Sequence, residues 1–139
     1  MDTMMSFVPK TMKLFGDDDD NKHPDISVTV LPATWRAHEQ RRDILVKEGV
    51  TFLDQQREEI WLTFGGTNMD VTVSDPTGEW TKDDAGNYYP PTREVRFKHG
   101  MSREDFMEQI MCLPVPVVNA WWWRVVEVNP DWAPNFRRD

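Results

Sequence analysis

The chain has 139 residues, 39% of them hydrophobic and 29% charged, and a net charge of −8, a length that suits one domain around one core. The charge is unevenly spread: residues 68–91 contribute −4 and residues 1–25 another −3, whereas residues 92–139 balance seven acids against seven bases. That distribution argues against non-specific nucleic-acid binding, which needs clustered Lys and Arg to displace counterions, and against docking on anionic lipid.

Residues 1–25 read as a flexible N-terminal arm. Apolar residues are sparse there, and Gly16 leads into the run Asp17–Asp20, which favours solvated states. Phe7, Leu14 and Phe15 are its candidate anchors for a partner. A single α+β domain is expected over residues 26–130, with 131–139 as a C-terminal tail. Ile26–Leu31 is β-branched, alternating and ended by Pro32, the pattern of a strand. Thr34–Glu48 reads as a helix with Trp35, His38, Ile44 and Leu45 on one side and Gly49 as its stop. Val50–Gln56 fits neither period.

Glu59–Phe64 and Met69–Ser74 alternate on either side of Gly65-Gly66-Thr67-Asn68, which predicts a hairpin. Residues 75–92 carry Pro, Gly and Asp at turn-forming positions and read as a long acidic loop, followed by a strand over Thr92–Lys98. Ser102 with Asp105 resembles a capping box and opens a helix over 102–112. Pro114 and Pro116 break it and start another over 116–128, since Pro fits a first helical turn; Trp122–Val128 is also rich in strand formers, but the apolar spacing favours the helix. Asn129-Pro130 stops it. The expected fold is therefore α+β, a small, mainly antiparallel sheet of about four strands packed by two to three helices.

The chemistry-bearing residues form no catalytic pattern. His23, His38 and His99 lack metal-ligand spacing, and no G-x-S-x-G occurs. Cys112 has no cysteine partner for a disulfide or a zinc site, and among Met111, Leu113 and Pro114 it reads as a buried apolar thiol. Gly65-Gly66 lacks the Lys and Ser or Thr of a phosphate loop. The acids around Trp80, Tyr88 and Tyr89 do not follow the ligand order of a calcium loop, but aromatics beside carboxylates suit a binding rim. Three successive tryptophans, Trp121–Trp123, span about 200° of a helix, so one core face cannot take all three. Trp123 is then the outward one, and Trp132 and Phe136 are expected to join it in an apolar patch of the kind that marks an interface.

These features predict no enzyme, no metal and no cofactor. The expected function is an interaction subunit or adaptor of a larger protein assembly, with other protein subunits as partners and no direct nucleic-acid or membrane contact. The combination of arm, small sheet, acidic loop and Trp-rich closing helix resembles small bacteriophage structural or assembly proteins, which implies a virion component. The alternative is an acidic inhibitor or DNA mimic that presents carboxylates to a basic protein. No apolar run reaches the about 20 residues of a membrane span, and the N-terminus lacks a secretory apolar centre, so a cytoplasmic location is expected.

Overall fold

Pairing begins earlier in the chain than its composition suggests. The computed structural model describes residues 7–15 and 25–134. Lys10–Lys13 forms strand β1, antiparallel to β2 (Ser27–Val30) with Lys10 opposite Val30. Leu14 then turns into the core, only 3% exposed, and its N–H donates to the Ile26 carbonyl at 2.8 Å. Residues 10–14 therefore belong to the fold, which corrects the expectation of an arm over 1–25. The aspartate run lies outside the described residues.

Helix α1 (Trp35–Leu45) is capped by Thr34, whose hydroxyl accepts from the Ala37 N–H. Helix α2 (Phe52–Leu62) opens on a complete capping box: the Thr51 hydroxyl accepts from Asp54 N–H, and the Asp54 carboxylate accepts from Thr51 N–H. The Thr51 N–H, foremost, and then the Thr51 hydroxyl hold the Asp54 pKa below its ordinary value. Glu59–Leu62 is the last turn of this helix, not a strand, so the hairpin expected from 59–64 and 69–74 does not exist. Strand β3 (Phe64–Thr67) pairs instead with β2, giving a sheet of order β1-β2-β3.

The two glycines read as a hairpin turn serve a bulge. Thr29 faces Gly66 and Val30 faces Phe64, which leaves Gly65 as the extra residue. A Cβ on Gly65 would meet Leu31 Cδ2, Thr29 Cγ2 and the Thr29 carbonyl oxygen, each at 3.0 Å, and Gly66 has φ of 128°.

Strands β4 (Asp70–Ser74) and β7 (Thr92–Arg96) form a two-stranded antiparallel ribbon, with Val71 opposite Val95. The segment between them is more ordered than a loop: β5 (Thr81–Lys82) pairs with β6 (Tyr88–Tyr89). Its tip is closed by Asp83, whose carboxylate accepts from the Ala85 and Asn87 N–H groups at 3.0 and 2.8 Å. Helix α3 (Arg103–Met111) is capped by Ser102 as expected, and α4 (Val115–Val128) follows Pro114 with Pro116 in its first turn. The fold is thus α+β, and among the described residues every strand pair is antiparallel, but the strands form three small sheets instead of one of about four strands.

The core lies where α2, α3 and α4 meet β2, β3 and the ribbon. Phe64, Phe97, Phe106 and Trp121 pack with ring centroids 4.9–6.1 Å apart, distances at which edge-to-face contacts are favourable. Cys112 is only half-buried at its margin, more open than expected.

Asn129 ends α4 and ties it back to the start of the chain. Its Oδ1 accepts from Ala33 N–H at 2.7 Å and its Nδ2 donates to the Leu31 carbonyl at 3.3 Å. Beyond it, Pro130–Trp132 makes one 3-10 turn that folds Trp132 into the core, 2% exposed. Trp132 is therefore neither tail nor surface patch, which corrects the expected grouping with Trp123. Phe136 lies outside the described residues.

Candidate functional site

Helix α2 carries a buried carboxylate. Gln55 and Glu59, one turn apart, share a face, and Glu59 is completely enclosed between α1 and α4. Its Oε2 accepts from Arg41 Nε and from Gln55 Nε2, the latter at 3.1 Å, and its Oε1 accepts from Trp122 Nε1 at 2.7 Å. Burying a charge is tolerable only when it is paired and hydrogen-bonded, and here both oxygens are engaged. Such a carboxylate has no open side for acid–base chemistry; its effect is to fix Trp122 against α2.

Trp122 in turn supports an exposed aromatic surface. Phe52 meets it edge-on, with centroids 5.2 Å apart and planes at 85°, and Trp123 meets it at 4.9 Å and 63°. Trp121 and Trp122 are buried, whereas Trp123 is 51% and Phe52 43% exposed, with the exposed Leu53 following Phe52. Helical geometry therefore distributes the three tryptophans as expected. The Phe52 and Leu53 positions went unread in the sequence, although Thr51-x-x-Asp54 announces the helix that presents them.

A second aromatic region lines a cleft of about 590 Å³ between the chain before β1, the start of α1 and the end of α4. Phe7 is 70% and Trp35 74% exposed at this cleft, with Val8 beside them. Trp35 faces out, contrary to its expected place on the buried side of α1. Of the other expected partner-binding residues, Leu14 is core and Phe15 half-buried against it. Trp80, Tyr88 and Tyr89 share the β5–β6 hairpin and are exposed, with the Trp80 indole donating to the Pro76 carbonyl at 3.0 Å and Lys82 stacking on Tyr88 at 5.6 Å.

Two of the four acids in residues 75–89 are committed to local turns. The Asp75 carboxylate accepts from Thr77 Oγ1 and N–H at 2.6 and 3.1 Å, and Asp83 closes the tip. Hydrogen bonds to the ionised form hold both pKa values below the usual carboxylate value, from the Thr77 hydroxyl first for Asp75 and from the Asn87 N–H first for Asp83.

Among the described residues, no cluster of three His, Cys, Asp or Glu side chains could hold a metal ion, and no helix is long and apolar enough to cross a membrane. No protein family, curated protein or solved structure matches this chain.

Proposed function

We propose that this chain is a non-enzymatic subunit or adaptor that docks other protein subunits in a larger assembly, through the surface formed by Trp123, Phe52 and Leu53. The observation that carries this reading is Trp123 itself: a large aromatic, half exposed, resting on a buried tryptophan that a buried carboxylate holds in place. Such an anchor loses little freedom on binding, and immobilising side chains is a main cost of association. Tryptophan is also enriched among the few interface residues that dominate affinity. The unpaired Cys112 supports a reducing, cytoplasmic setting, and assembly in a virion fits the same chemistry.

The alternative, an acidic inhibitor of a basic protein, has the exposed aromatics of the β5–β6 hairpin in its favour. Against it, Asp75 and Asp83, two of the four acids in residues 75–89, are spent on local turns. Size-exclusion chromatography with light scattering separates the two. A defined oligomer that Trp123→Ala dissolves, without loss of helical signal, supports the assembly reading. A monomer that binds basic proteins and releases them in salt supports the inhibitor.

A further inference from the structure

His38 makes a contact that depends on its charge. The nearly buried Trp132 donates its indole N–H to His38 Nδ1 at 3.3 Å. An imidazole nitrogen accepts only when unprotonated, whereas imidazolium has N–H on both sides and accepts nothing. The Trp132 ring also lies beneath the Arg41 guanidinium, 5.1 Å from its centroid, and the Trp35 ring packs 5.5 Å from the imidazole.

The charged groups around His38 come from four elements. Arg41 and Arg42 follow it by three and four residues on α1, and Lys10 of β1, Glu127 of α4 and Asp131 of the 3-10 turn line the same cleft. Two of these are already paired, Arg41 with Glu59 of α2 and Glu127 with Arg124 of α4.

We propose that His38 and Trp132 form a proton-operated latch. Neutral His38 holds the turn Pro130–Trp132 against α1; protonation removes the acceptor, frees Trp132 and reshapes the cleft that both residues line. The latched state requires an unprotonated Nδ1 and so binds fewer protons than the released one. Latching is therefore firm while His38 is neutral and is lost once it is protonated. The bonds from Asn129 to Ala33 and Leu31 do not titrate, which confines the release to residues beyond 129. The latch does not rest on the assembly reading.

The test uses the full chain labelled with 5-fluorotryptophan, with the Trp132 resonance identified through Trp132→Phe. The H2O/D2O solvent isotope shift of each fluorine is followed from about pH 8 to about pH 5, the span over which imidazole changes charge. Trp132 should be shielded at the upper end and open roughly fivefold more at the lower, the equivalent of one ordinary hydrogen bond, while Trp121 and Trp122 stay shielded. In His38→Asn, a side-chain carbonyl near the Nδ1 position accepts at every pH, and the dependence should vanish. In the wild-type chain, the His38 13Cε1 titration should share its midpoint with Trp132. The latch is overturned by a Trp132 signal that ignores pH, by a different midpoint, by an unchanged response in His38→Asn, or by simultaneous exposure of all three tryptophans.

Discussion

Arg41→Met tests whether the Glu59 network is what organises the helices. In the native fold Glu59 has no exposure and one cationic partner, Arg41, with Gln55 and Trp122 as neutral donors. Removing one member of a buried pair leaves an uncompensated charge, which costs about 3–5 kcal/mol. Loss of the guanidinium stacked on Trp132 adds roughly 0.5–2 kcal/mol. Against a typical total of about 5–15 kcal/mol, the variant should be at the edge of folding at neutral pH.

Urea denaturation followed by circular dichroism at neutral pH measures the loss. A loss below about 1 kcal/mol would mean that the enclosed carboxylate does not depend on Arg41, and the reasoning would fail.

Trp122→Ala should cost roughly 3–5 kcal/mol, because it opens a core cavity and removes the Glu59 Oε1 donor, whereas Trp123→Ala should cost about 1 kcal/mol, the worth of one ring contact; thermal unfolding of both variants checks the contrast. Asn129→Ala strips the bonds to Ala33 and Leu31 and should cost roughly 2–3 kcal/mol by leaving backbone groups unpaired, seen as a lower urea midpoint. Asp83 has a depressed pKa, so its support for the hairpin tip is complete above its ordinary value of 3.8 and is lost only as pH falls below it; amide exchange at Ala85 and Asn87 should follow that course, and Asp83→Asn should remove the acid step.

Local signals carried some elements and failed at others for identifiable reasons. The cap at Ser102 and the Pro114–Pro116 start of α4 act within a turn or two of themselves, and both are read from neighbours in sequence. The outward turn of Trp123 follows from helical rotation alone. Glu59–Phe64 misleads because the short apolar run Ile60-Trp61-Leu62 suits a buried strand as well as a helix end, and only the capping box at Thr51 gives the helix away. The Gly65-Gly66 pair suits a turn equally well as a bulge, and its partner Thr29 is remote. Leu14 and Trp132 enter the core through contacts with Ile26 and His38, 12 and 94 residues away, beyond the reach of any local pattern. Phe52 and Leu53 were hidden with α2, which is why part of the candidate surface escaped notice.

The same long-range ties govern how this chain can reach its native state. Glu59 receives its indole donor from 63 residues downstream, Ala33 its acceptor from 96 and the Lys13 carbonyl its guanidinium from 111. Each closure costs loop entropy before it returns any stabilisation, so folding should be slower than that of helical bundles dominated by neighbours in sequence. A fragment ending before α4 would hold Glu59 with one oxygen unmatched and β2 without its covering helix. Partial structures thus have little to hold them. The helices and sheets should form and melt together, as one cooperative unit whose rate is set by the arrival of α4.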